Sequence, residues 1–186
     1  ATRATSTTQT THDTPDTSTR DSSASAAHTT HDLGYVWLMD DDTIPTDTAL
    51  EELLATAGEA HRANGVWPAA LGSKALWTDG REHLMNKPRE RTWPALGRRH
   101  LPPTGRDAAA FQVRSLSFVS CLISMRAIRS AHALPNSAYF LWNDDFEFTT
   151  RLLKRATGYY VPSSHVVHKT KVFGSSDADP GARFFY

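Results

Sequence analysis

Five strand-forming or apolar residues, Tyr35, Val36, Trp37, Leu38 and Met39, run directly into three consecutive carboxylates, Asp40, Asp41 and Asp42. A short apolar run of this kind reads as a strand buried on both faces, as in a parallel sheet covered by helices. Ligands of open α/β sheets gather at the carboxyl ends of the strands, and three acids there repel one another unless a cation or hydrogen bonds compensate. In an extended chain Asp40 and Asp42 point to one side and Asp41 to the other. The outer pair can therefore share a hard divalent cation, which keeps open positions for water and phosphate oxygens. The same residues also suit a plain polar turn in which Asp42 or Thr43 caps the following helix.

The next stretch predicts a helix. Pro45 precedes it, Thr48 and Glu51 have the capping-box spacing, Leu50, Leu53, Leu54 and Ala57 share one face, and Asn64-Gly65 marks the end. Residues 66–71 then read as a second buried strand closed by Gly72-Ser73, and strand-helix-strand argues for a parallel sheet with the acids on its ligand edge. Residues 77–106 are irregular and rich in Pro, Gly, Arg and Trp, as lids and binding loops are. Lys74, Arg81, Lys87, Arg89, Arg91, Arg98 and Arg99 would suit a phosphorylated ligand, although a solvated loop has the same composition. Trp77 and Trp93 suit stacking on a sugar or base, or plugging the loop onto the core. Residues 109–113 and 116–124 read as two further strands and 125–133 as a short helix.

A second aromatic segment, YFLWNDDFE over 139–147, again delivers carboxylates, this time at the start of a helix. That helix carries Phe146, Phe148, Leu152 and Leu153 and is predicted to end near Thr157-Gly158. A helix dipole by itself favours Asp144 and Asp145 at this place. Beyond it, 159–162 and 164–169 read as short extended segments. Within the latter, His165 and His168 are an odd number of residues apart and face opposite sides of a strand.

Residues 1–32 contain no Val, Ile, Leu, Met, Phe, Tyr or Trp. Such a Thr/Ser-rich segment buries too little surface to offset its ordering entropy and is expected to be disordered, with His12, His28 and His31 solvated. The folded unit is expected over 33–186. Lys plus Arg number 20 and Asp plus Glu number 20, so no overall basic field argues for nucleic acid. The single cysteine, Cys121, sits in an apolar run, which excludes a disulfide framework and fits a reducing compartment. No apolar stretch approaches the roughly 20 residues that cross a bilayer, and no signal-peptide core opens the chain. A soluble, cytoplasmic chain without a transmembrane segment is expected.

The motifs WLMDDDTIP, SFVSCLIS, FLWNDDFEFTTRLLKRATGYYVP and VVHKT, in this order and at this spacing, resemble the family-2 glycosyltransferases. Most similar are the bacterial galactofuranosyl- and rhamnosyltransferases that build cell-surface polysaccharide. The resemblance covers roughly 33–186 and implies an α/β, GT-A-like mixed sheet flanked by helices. It implies a metal-dependent, inverting transfer of a sugar from a nucleotide-diphosphate sugar, of the UDP-galactofuranose or dTDP-rhamnose type, to a hydroxyl of a glycan or lipid-linked acceptor. It places Asp40, Asp42 and His168 on Mn²⁺ or Mg²⁺, an imidazole ligand tilting the choice to Mn²⁺. It makes Asp41 a donor-side residue, Asp145 the general base, Asp144 and Glu147 the residues that shape the acceptor pocket, and Trp142 a donor- or acceptor-binding residue. The location it implies is the cytoplasm or the inner face of the cell membrane. Family members carry a base-binding strand-turn-strand half before the acidic strand and continue beyond the region matched here. The resemblance therefore implies a partial domain, incomplete at both ends, with a truncated, non-catalytic remnant or binding module as the alternative.

Overall fold

A computed structural model of the chain describes residues 34–91, 109–132, 134–139, 143–171 and 173. The expected disordered segment 1–32 lies outside the described residues, as do Trp93, Arg98, Arg99 and Trp142.

Adjacent residues of one strand enter different cores. In β3 (Ala70–Leu76) Ala70 joins a cluster with Cys121, Ile123, Phe148 and Tyr160, whereas Leu71 joins Leu53, Leu122, Tyr159 and Val161. The alternation of side chains along β-strands thus yields a sheet covered on both faces. Helix α1 (Ala49–Asn64) covers one face through Leu53, Ala57 and Ala60. Helix α3 (Asp144–Leu153) covers the other through Phe148, Leu152 and Leu153, with Ala127 and Ile128 of α2 (Met125–Ala131) packed beside it.

The remaining strands are β1 (Tyr35–Leu38), β2 (Thr43–Pro45), β4 (Arg89–Glu90), β5 (Phe111–Ser115), β6 (Cys121–Ser124) and β7 (Gly158–His168). Among the described residues they form one mixed, open sheet in the order β1-β6-β3-β7-β5-β4, with β2 paired to β7. The fold is α/β and compatible with a Rossmann-like arrangement. β7 runs parallel to β3 on one side, and on the other it meets β5 near its start and β2 near its end, both antiparallel.

Several local expectations need correction. β1 stands at the end of the sheet and all four of its residues are only half-buried, because α1 packs over β3 and β7 and α3 over β5. β1 and β3 do share a direction, but β6 lies between them and pairs antiparallel with each. The strand expected at 66–71 begins at Ala70 and continues through Gly72-Ser73. Gly72 is not a break there: a Cβ on it would lie 2.5 Å from Leu116 Cδ2, so its lack of a side chain admits Leu116.

The two extended segments expected after α3 are one strand, with a change of register in which Ser73 faces Val161 and Lys74 faces His165. Pro162, which has no N–H to offer a ladder, lies in this bulge. Residues 116–120 leave the sheet, since the Leu116 N–H is taken by Thr149 Oγ1 at 3.0 Å and Phe118–Ser120 form a 3-10 turn.

In α1 the buried stripe is Ala49, Leu53, Thr56, Ala57 and Ala60, while Leu50 and Leu54 are exposed. Thr48 makes no side-chain cap. The helix does stop at Gly65, whose left-handed φ of 71° lets its N–H reach His61 O at 2.7 Å. α2 ends at Ala131 and α3 at Leu153, each short of its expected limit, and Phe146 of α3 is exposed rather than in the core.

Buried hydroxyls between the layers satisfy one another in a single direction. Trp37 Nε1 donates to Ser120 Oγ (3.0 Å), Ser120 to Ser73 (2.8 Å), Ser73 can donate to Ser164 (2.7 Å), and Ser164 donates to Ala49 O (2.8 Å). This line ties β1, β3 and β7 to the first residue of α1, and each donor within it has an acceptor.

Candidate metal centre

β1, β3 and β7 run in one direction, so their carboxyl ends lie along one edge of the sheet. At the end of β1 the chain turns, with Thr43 N–H donating to Asp40 O at 3.1 Å, and returns as β2. β2 then pairs with the end of β7, setting Thr43 opposite His168, and Lys169 N–H donates to Asp42 O at 2.9 Å. Two carboxylates from the turn are thereby brought to the last residue of β7.

His168 Nε2 lies 3.1 Å from Asp42 Oδ1 and 4.0 Å from Asp40 Oδ2. One possible ligand atom from each of Asp40, Asp42 and His168 falls within 4.8 Å of the other two, and among the described residues these three form a group that could hold a metal ion. Ligand distances of about 2.0–2.6 Å place donors on one cation about 3–4.5 Å apart, so a small rotation of the carboxylates closes the set. Both carboxylate side chains are well exposed, at 45 % for Asp40 and 41 % for Asp42, and can make that rotation, whereas the imidazole is buried.

The other ring nitrogen, Nδ1, is 2.9 Å from Asn86 Oδ1. A proton on Nδ1 leaves a lone pair on Nε2, facing the two acids, which is the form a metal-ligating imidazole takes. Two oxygens and one imidazole nitrogen, open to solvent on one side, make a donor set that could hold a metal ion. Partial desolvation on its inner side pushes the Asp40 carboxyl above its usual range; the His168 imidazole opposes this, and Asp42, Asp145 and Asp144 add repulsion. A cation would relieve that repulsion. His83, buried behind the site with its ring 4.8 Å from that of His168, holds Thr170 Oγ1 at 3.0 Å, and burial lowers its proton affinity.

The three residues stand in a cleft of about 730 Å³ whose walls include Asp41, Lys87, Arg89, Asp144, Asp145 and Phe146. The two acidic segments, remote in sequence, thus face one space. Burial raises the proton affinity of Asp145, opposed by the Phe146 N–H, which donates to it at 2.6 Å, and by the polar influence of Ser117 and the Phe118 N–H, while the charge of Asp144 adds repulsion. A carboxylate held above its ordinary range is a better proton acceptor near neutrality.

Glu147 does not line the cleft; Arg151 grips both its oxygens, at 2.8 and 3.0 Å, one helical turn away. His165 lies on the other face of β7 from His168, and its carbonyl accepts from Thr46. Trp142 is outside the described residues. Of the basic residues, Lys87 and Arg89 reach the cleft, Arg81 pairs with Asp79, and Arg91 binds Leu153 O and Ala156 O at the end of α3. Sequence reasoning missed Asn86, Ser117 and Thr170, single polar residues in irregular stretches whose partners are distant in the chain. Neither the known protein families nor the curated proteins include a match to this chain.

Proposed function

We propose that the chain is a metal-dependent glycosyltransferase domain of the GT-A-like class. It would move a sugar of the galactofuranose or rhamnose type from a nucleotide-diphosphate sugar to a glycan hydroxyl, with inversion. The observation that carries this reading is the meeting, in one cleft, of a two-carboxylate, one-imidazole group with the second acidic segment. The motif resemblance supplies the sugar class. The mixed α/β sheet, with its acids at the carboxyl ends of parallel strands, supports the fold class.

Asp40, Asp42 and His168 would hold the cation, which when bound neutralises charge on a leaving diphosphate. Lys87 and Arg89 add positive charge to the same cleft and would orient phosphate oxygens. Asp145 would take the acceptor hydroxyl proton onto a carboxylate oxygen, and the exposed ring of Phe146 offers an apolar face for a sugar. Asp41 and Asp144 supply acceptors for sugar hydroxyls. A single displacement with base and leaving group on opposite sides inverts the anomeric centre. Among the described residues no helix is long and apolar enough to cross a membrane; the place of action proposed with the family reading is the cytoplasm or the inner membrane face.

Calorimetric titration with UDP or dTDP, with and without Mn²⁺, tests the reading. Nucleotide binding that requires Mn²⁺, followed by cation-dependent transfer from the matching sugar nucleotide, is the expected result. Nucleotide affinity indifferent to Mn²⁺ in a protein that binds no Mn²⁺ would refute it.

A further inference from the structure

We infer that Thr149 is a positioning residue, whose buried hydroxyl pins the first turn of α3 to the cleft wall at Leu116 and so sets where the Asp145 carboxylate stands. This deepens the proposed function and rests on it for the role of Asp145 as the base, while the hydrogen bonds stand on the geometry. Thr149 has no exposure to solvent. Its Oγ1 accepts from Leu116 N–H at 3.0 Å, and its one proton is shared between Asp145 O at 2.7 Å and Leu116 O at 3.1 Å. A threonine inside a helix commonly bonds the carbonyl four residues back, which accounts for Asp145 O. Helix geometry does not account for Leu116, 33 residues away in the chain.

Leu116 is the first residue after β5 and stands outside the ladders of the sheet. The Thr149 hydroxyl serves both its N–H and its carbonyl, as a residue on a neighbouring strand would. α3, for its part, begins without a firm hold of its own. Asn143 before it has a left-handed φ of 65° and gives no side-chain cap, and helix ends of this kind fray unless something outside the helix holds them. Leu116 and Ser117 border the cleft, and so do Asp144, Asp145 and Phe146 from the first turn of α3. One hydroxyl therefore fixes the spacing between two segments that face the same space. Leu116 has little room to take up a change in that spacing, since its side chain occupies the place a Cβ on Gly72 would need. With the hydroxyl removed, the buried Leu116 N–H loses its acceptor. The part that yields is the first turn of α3, and it carries Asp145.

Two variants isolate the hydroxyl: Thr149→Val keeps the shape without it, and Thr149→Ser keeps it without the methyl. Amide hydrogen exchange of the full chain, read by NMR with no ligand added, reports the hold on the helix. In Thr149→Val the Glu147 and Phe148 amides should exchange about 3- to 10-fold faster relative to those of Leu152 and Leu153, the effect of one hydrogen bond of ordinary net strength. Thr149→Ser should keep the wild-type ratio. A merely structural loss would speed both ends of α3 alike. With Mn²⁺ and UDP-galactofuranose or dTDP-rhamnose, Thr149→Val should lose about 10- to 100-fold in kcat, as a displaced catalytic group does. KM for the sugar nucleotide and Mn²⁺ affinity should stay near wild type, because Asp40, Asp42 and His168 stand on other elements. Thr149→Ser should recover most of kcat.

Equal exchange ratios in wild type and Thr149→Val would overturn the inference, and so would a Thr149→Ser protein as impaired as Thr149→Val. Wild-type protein that turns over neither sugar nucleotide would instead overturn the functional reading, and the exchange ratios would still decide the hold of Thr149 on α3. One readout requires no variant to fold. The Thr149 hydroxyl proton of the wild type should give a slowly exchanging NMR signal with a nuclear Overhauser contact to the Leu116 amide, and a hydroxyl in fast exchange with water would overturn the inference by itself.

Discussion

His168 Nε2 lies 3.1 Å from Asp42 Oδ1 although the strand partner of His168 is Thr43, the next residue along. The carboxylate reaches the imidazole from the turn just outside the ladder, where it is 41 % exposed and free to swing onto a shared cation. Asp42→Asn removes a charged ligand and is expected to weaken Mn²⁺ binding by at least about the 10- to 100-fold that outer partners cost. Saturating Mn²⁺ at about 100 times its Kd should stabilise the wild type by about 2.7 kcal/mol, and EDTA should abolish the gain. Thermal melts with each addition check both statements; equal Mn²⁺ stabilisation of wild type and variant would contradict them.

Asp145 faces the same cleft without belonging to the three-residue group. Asp145→Asn keeps the size of the side chain and removes the proton acceptor, so turnover of a sugar nucleotide should drop by about 10²- to 10⁴-fold. Mn²⁺ affinity should hardly change. Steady-state kinetics beside calorimetry separate the two effects, and near-normal turnover with Asn at this position would move the base assignment to Asp144.

Burial holds the Asp145 carboxyl above the ordinary aspartate range, so the folded protein binds this proton more tightly than the unfolded chain. Its contribution is fully present below the unfolded value of about 3.9 and is lost as pH rises through the higher folded value. Wild-type stability relative to Asp145→Asn should therefore fall with rising pH and then level off. Urea unfolding of both proteins from about pH 3 to about pH 8 measures the difference. A difference that grows in favour of the wild type would show that the hydrogen bonds to the carboxylate outweigh its burial.

Gly72→Ala would set a Cβ 2.5 Å from Leu116 Cδ2. Leu116 is buried and its N–H is fastened to Thr149, so it has little room to withdraw. The expected loss is about 1–3 kcal/mol, the usual cost of overpacking. Since Leu116 leads directly into Ser117, Mn²⁺-dependent signals from the cleft should change with the stability. Unfolding at the wild-type midpoint would show that Leu116 can repack.

Some of this was legible because it is local. An apolar run ending in acids names a strand end, and the odd spacing of His165 and His168 separates them by face whatever the strand pairs with. Strand order is not local: nothing in residues 35–38 says that β6 will lie between β1 and β3. β2 escaped notice because three residues ending in proline carry little strand signal, and their pairing is decided by the exposed edge of β7. Of the stripe expected in α1, Leu53 and Ala57 are buried while Leu50 and Leu54 are exposed, because Ala49 and Thr56 fit a 3.6-residue stripe around Leu53 equally well. Asn86 is 31 residues from Ser117 and 82 from His168, and no spacing rule spans such distances.

The pairing of β2 with the end of β7 also fixes when the cation site can exist. A nascent chain that has emerged only through α3 carries Asp40, Asp42 and Asp145 but not His168, and the β7 partners β3, β5 and β2 all wait for a strand made later. Contacts of such long sequence separation close slowly because loop entropy is lost before they reward it. A cation therefore cannot guide the early folding of this chain. A cation held by Asp40, Asp42 and His168 would act at the final step, where a one-residue slip of β7 against β2 would turn His168 to the opposite face, and would reward the correct register alone.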